Sequence, residues 1–170
     1  RSTLFPYTTL FRSHHPGVQD LSQAIELKPN EPAYYAERGL AHARAGNFDG
    51  ALADLGFAIE HDPRSAVAFA YRGYVFKEQG QADVGMKDIA RAVKLATDNP
   101  DVLWAKAEVE DALGQRDQAI VDLRRALQLL PGMKLASDTL ERIDDGASVT
   151  EEVAVPGMGF EDWNVVTRGK

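Results

Sequence analysis

The chain of 170 residues sets 26 Asp and Glu against 19 Lys and Arg, a net charge of −7, which argues against a phosphate-binding surface because nucleic-acid binding draws on a clustered cationic excess. The absence of cysteine excludes disulfides, thiolate catalysis and Cys-ligated zinc and leaves the compartment open. No run approaches the ~18–20 apolar residues of a membrane span.

In chain order, the first segment stands apart. Thr3 to Ser13 reads TLFPYTTLFRS and matches, codon by codon, a forward-frame translation of the common short-read sequencing adapter. Residues 1–13 are therefore set aside from fold and function, as a non-biological segment should be. They have neither the continuous apolar core nor the small-residue cleavage site of a signal peptide. The adapter stands where the first helix of a repeat belongs, so the natural N-terminus is expected to be missing.

From His14 onward the chain is periodic. Aligning Gly46, Gly80 and Gly114 gives three copies of 34 residues, 32–65, 66–99 and 100–133, preceded by a half-copy at 14–31. A fixed period of this length is the mark of stacked helical hairpins. The half-copy supplies one helix from about His15 to Lys28, with Val18, Leu21, Ala24, Ile25 and Leu27 in the 3.6-residue pattern of an amphipathic helix. Its missing partner predicts a partly uncovered apolar face. In each full copy helix A follows a capping position held by Ser65 or Asn99, tolerates Pro32 or Pro100 in its first turn, and ends at Gly46, Gly80 or Gly114. Helix B is predicted to open at Asp49, Asp83 or Asp117, acting as cap and dipole partner. Residues 134–145 carry Leu135, Ala136, Leu140 and Ile143 on one side, as a terminal capping helix requires. Residues 146–170 lose the pattern. Their simplest reading is a disordered tail; the alternatives are a linker into a truncated next domain or an aromatic docking motif, and Trp163, Val165 and Thr167 suit one face of a short strand.

The central copy has Tyr35, Gly39, Ala51, Leu55, Ala58 and Pro63 at positions 4, 8, 20, 24, 27 and 32. The next has Phe69, Gly73, Gly85, Ile89 and Ala92, and the last Leu103, Ala107, Ala119, Leu123, Ala126 and Pro131. In these residues the copies resemble the tetratricopeptide repeat, whose pattern asks for an aromatic or large apolar residue at position 4, small residues at 8, 20 and 27, a large apolar residue at 24 and Pro at 32. The resemblance covers roughly two-thirds of the chain and implies an all-α, right-handed α-solenoid of helix-turn-helix repeats. It also implies a protein that binds a peptide or a helix of another protein along a concave groove.

Two charge ladders share the period. Arg38, Arg72 and Lys106 occupy position 7, and Asp20, Asp54, Asp88 and Asp122 occupy position 23. Each cation is expected to pair with the Asp of its own copy or the preceding one, setting register more than supplying stability.

The resemblance places the inner wall on helix A, and the positions carried over give a candidate peptide-binding groove of Glu37, Leu40 and Arg44, then Tyr71, Tyr74 and Lys77, then Trp104, Glu108 and Asp111. Trp104 lies one position beyond the usual core aromatic, with Leu103 already filling that place, so its indole is expected on the open wall near the two tyrosines; the alternative is a slight rotation of the helix that buries it as ordinary core. Family members that clamp acidic chaperone termini use Lys, Arg and Asn at positions held here by Ala36, Leu40, Tyr71, Asp101 and Ala105. The surface instead suits an apolar segment carrying Lys or Arg, since aromatic faces and carboxylates both attract cations. His14, His15, His42 and His61 share no ligand spacing, no nucleophile meets a base, and neither catalysis nor a metal or other cofactor is expected. An interaction scaffold is the leading reading, and the recruiting arm of a larger enzyme the alternative.

Overall fold

The computed structural model describes residues 16–144. They form eight helices: α1 (Val18–Leu27), α2 (Pro32–Arg44), α3 (Phe48–His61), α4 (Ala66–Glu78), α5 (Ala82–Leu95), α6 (Pro100–Ala112), α7 (Arg116–Leu129) and α8 (Lys134–Asp144). The adapter-like segment and the tail, with its expected strand, lie outside the described residues.

Local chemistry sets the helix boundaries. The side chains of Ser65 and Asn99 accept backbone N–H bonds at the starts of α4 and α6, and Gly46, Gly80 and Gly114 end the A helices at φ of 77°, 75° and 77°, a region costly for any residue with a Cβ. Helix B begins differently from expectation. Asn47 caps α3 through Gly50 N, and Gln81 and Gln115 precede α5 and α7 without a side-chain cap. Asp49, Asp83 and Asp117 lie inside the first turn, where they meet the positive end of the dipole without capping it.

Consecutive helices pair as hairpins, α2 with α3, α4 with α5 and α6 with α7. The A helices α2, α4, α6 and α8 touch one another in sequence, whereas the B helices α1, α3, α5 and α7 meet only A helices. Closer spacing on the A side curves the stack with the A helices inside. Small residues permit the tightest approach: a Cβ on Gly85 would lie 2.5 Å from Gly73 O, and one on Gly39 would lie 2.6 Å from Leu55 Cγ. Ala107 and Ala119 occupy the same place in the last copy, both fully buried. On α1, Leu21 and Ile25 are buried while Leu27 is 83% exposed.

The ladder closes within each copy. Arg38 makes two bonds to Asp54 at 2.7 and 2.8 Å, Arg72 two to Asp88 at 2.7 and 2.9 Å, and Lys106 pairs with Asp122. Of the two arrangements expected, the one within the hairpin is used throughout. Arg38 and Arg72 also lie over the position-4 rings, Tyr35 at 5.5 Å and Phe69 at 5.6 Å, so the cation ties the hairpin through both a carboxylate and a π face. Arg38 donates further to Ser22 Oγ on α1 at 3.2 Å, linking the half-copy to the first full one.

Candidate peptide-binding groove

The nine candidate residues divide by depth. Leu40, Tyr71 and Trp104 are 1%, 0% and 2% exposed, and Glu108 is 7% exposed; Glu37, Tyr74, Lys77 and Asp111 are half-buried and Arg44 is exposed. The expectation that Trp104 faces an open wall is therefore corrected: its indole is core. Position 5 of an A helix faces the next A helix, and α8 fills that place. Trp104 Nε1 donates to Thr139 Oγ1 at 3.1 Å. The Thr139 hydroxyl has two acceptors in reach, Glu108 Oε1 at 2.7 Å and the Leu135 carbonyl at 2.8 Å.

Thr139 and Arg142 are the residues that sequence reasoning missed. The signal was present, because Arg142 lies one period beyond Glu108 and α8 continues the register as a fourth A helix. Arg142 bonds Asp111 Oδ2 at 2.9 Å and Glu108 Oε2 at 3.1 Å. Lys77 reaches Glu108 Oε2 at 2.7 Å and Glu78 at 2.5 Å. A chain of alternating charge thus runs along one edge of the wall, Glu78, Lys77, Glu108, Arg142 and Asp111. Burial pushes the Glu108 carboxyl up, but the Lys77 charge, bonds from Lys77 and Thr139, and Arg142 together hold it below the usual range.

Aromatic rings fill the middle. Tyr74 lies 4.9 Å from Trp104, centroid to centroid, and Tyr71 meets Trp104 edge-on at 6.3 Å. The Lys77 ammonium sits 4.7 Å over the Tyr74 ring. Tyr71 donates its hydroxyl to Glu37 Oε1 at 3.4 Å. Its phenol is raised well above the ordinary value by burial, with the Asp101 and Glu37 carboxylates adding to the shift. Both carboxylates bear on one phenol, so this second edge of the wall is acidic. Burial likewise raises Tyr74, helped by Glu78 and Glu108, and Arg44 acts in the opposite sense.

No family model and no curated protein matches the sequence. Solved structures do. The first TPR domain of human RPAP3 is 22% identical with a TM-score of 0.56, covering 69% of this chain and 92% of that domain. The first TPR of Spaghetti (RPAP3), solved bound to the HSP90 peptide SRMEEVD, is 22% identical with a TM-score of 0.56, over 67% of this chain and 93% of that one. A thermophilic TPR protein of Thermus thermophilus is 23% identical with a TM-score of 0.56, over 74% of this chain and 70% of that one. The fold is that of a tetratricopeptide repeat solenoid, all-α and built from repeated helical hairpins.

Proposed function

We propose that the chain is a protein–protein interaction scaffold that takes a peptide or helix along the wall formed by α2, α4 and α6. The half-buried ring of Tyr74, 4.9 Å from buried Trp104 and lying under the Lys77 ammonium, is the observation that carries this reading. Partly exposed aromatics on a rigid base contribute most to binding where they are desolvated by a partner. The likeness to a repeat domain solved with a chaperone peptide supports the same general role.

The chemistry of the partner differs from that peptide. SRMEEVD is acidic, whereas this chain places Ala36, Leu40, Tyr71 and Ala105, all buried, at positions where the family's clamp is basic or amide-bearing. The edge around Tyr71 carries Glu37 and Asp101 instead. An apolar segment with Lys or Arg is the complement of such a surface. Fluorescence anisotropy with SRMEEVD and with SRMKKVK, its acidic residues replaced by lysine, tests this. The basic peptide should bind at least ~10-fold tighter, a difference of about 1.4 kcal/mol, and lose that advantage in Glu37→Gln/Asp101→Asn. Equal or tighter binding of SRMEEVD would overturn the proposal.

A further inference from the structure

The outer face changes sign along the stack. Positions 22, 26 and 29 of each B helix hold Gln19, Gln23 and Glu26 on α1, Ala53, Phe57 and Glu60 on α3, Lys87, Arg91 and Lys94 on α5, and Val121, Arg125 and Gln128 on α7. Lys87, Arg91 and Lys94 are all exposed, on the side of α5 opposite buried Gly85, Ile89 and Ala92. Neither lysine has an ion-pair partner among the described residues, and Arg91 has a π contact at 5.9 Å with Phe69. On α7, Arg125 and Arg124 hold only loose, half-exposed pairs, with Asp98 at 3.6 Å and Asp144 at 3.8 Å. Val84 and Val121 are 40% and 58% exposed beside these cations. A chain with a net charge of −7 therefore places five weakly satisfied cations and two exposed valines on the outer sides of two B helices, α5 and α7, that both pack against α6.

We propose that this face of α5 and α7 is the docking surface for the chain's own segment 145–170. The Asp144–Arg124 pair places the last residue before that segment against α7. The segment alternates acidic and apolar residues: Asp145, Glu151 and Glu152 among Val149, Val153 and Val155, then Glu161 and Asp162 between Phe160 and Trp163. Extended chain from Asp144 to Glu151 reaches up to ~25 Å, about two helix diameters, and docking requires the paired glutamates to cross from α7 to Lys87 and Arg91 on α5, the two helices being joined through α6. Partly exposed pairs of this kind are weak singly and sensitive to salt, so the segment is held by their number together with burial of the valines. Docking there leaves the groove open and covers the cationic patch that any other acidic chain would seek. The proposal does not depend on what the groove binds.

The full chain has no cysteine, so Val155→Cys gives a single site for a nitroxide label. The expected result is paramagnetic broadening of α5 and α7 amides around Lys87, Arg91 and Val121, at least ~2-fold above that of α2, and reduced to the α2 level both in 0.5 M salt, where the Debye length falls to about 4 Å, and in K87E/R91E/K94E. These three side chains are exposed, and should the triple variant fail to fold, the salt comparison on the unreversed chain decides. Broadening that is uniform, insensitive to salt, or centred on Glu37, Tyr74 and Lys77 overturns the proposal. Equal broadening in a mixture of labelled unenriched chain with unlabelled enriched chain would overturn it in favour of a second copy as the occupant.

Discussion

The indole N–H of Trp104 donates to the hydroxyl of Thr139 at 3.1 Å and so joins the last full copy to its terminal helix. With the ring itself buried, a residue expected to meet a partner instead holds the fold. Trp104→Ala should accordingly cost about 3–5 kcal/mol of stability, the range for deleting a large buried aromatic. Thr139→Val, which keeps the shape but strands the indole N–H, should cost about 1–3 kcal/mol. Urea unfolding followed by circular dichroism reads both; an unchanged midpoint for Trp104→Ala would return the residue to the binding wall.

The hairpin ladder predicts coupling inside a copy and none between copies. Arg72 and Asp88 are partly buried, with side-chain exposures of 28% and 13%, so solvent screens them less than a surface pair. A double-mutant cycle of Arg72→Met and Asp88→Asn should give a coupling of about 1 kcal/mol. The cycle of Arg72→Met with Asp54→Asn should give none. Coupling of Arg72 to Asp54 instead would mean that the ladder bridges successive copies.

How far the sequence discloses such relationships depends on whether they lie inside one copy. Gly46, Gly80 and Gly114 were legible because one backbone conformation demands them, and the Arg and Asp ladders because both partners recur in each hairpin. The B-helix starts are less legible: an Asp near a helix start satisfies both a capping and a dipole argument, and in α3 the bond that Gly50 N–H donates to the Asn47 side-chain Oδ1 separates them. Trp104 was misplaced because its environment belongs to the following copy. Its cover comes from α8, whose Thr139 and Arg142 become visible in the sequence only when the register is counted one step past the last full repeat.

Two glycines in successive B helices should respond oppositely to alanine. At Gly85 a Cβ would stand 2.5 Å from the Gly73 carbonyl oxygen, a backbone atom that cannot move aside cheaply. Gly85→Ala should destabilise by about 1–3 kcal/mol through overpacking, despite the better helix propensity of alanine. Gly56 in α3 has nothing within 4 Å of its added Cβ, so Gly56→Ala should stabilise by about 0.5–1 kcal/mol. Thermal melts of the two variants check the contrast, and two shifts of the same sign would contradict the close approach of α4 and α5.

Glu108 and Glu110, two positions apart on α6, should give opposite pH dependences. Glu110 is 4% exposed; its Oε1 lies 2.5 Å from Lys106 Nζ, while Oε2 accepts no hydrogen bond from the described residues. Lys106 must serve Asp122 as well. Burial therefore raises the Glu110 carboxyl, and the Lys106 bond and charge only partly oppose it. The folded chain then binds this proton more readily than the unfolded chain, so the stability that it contributes is full below the unfolded carboxylate value, ~4.3, and is lost as pH rises through the raised folded value. Glu108 is the reverse: with its value lowered by Lys77, Thr139 and Arg142 against the cost of burial, its contribution is present above the unfolded value and is lost as pH falls through the folded one. Glu110→Gln should therefore gain stability relative to the parent chain as pH rises from about 4 to 7, the amide keeping a bond to Lys106 and offering an N–H to Asp122. Glu108→Gln should lose stability relative to the parent as pH rises from about 3 to 5, the window between its lowered folded value and the unfolded one. Urea unfolding from about pH 3 to 7 measures both differences, and parallel slopes would show that the two carboxylates share one environment and that the charge chain through Glu108 does not hold.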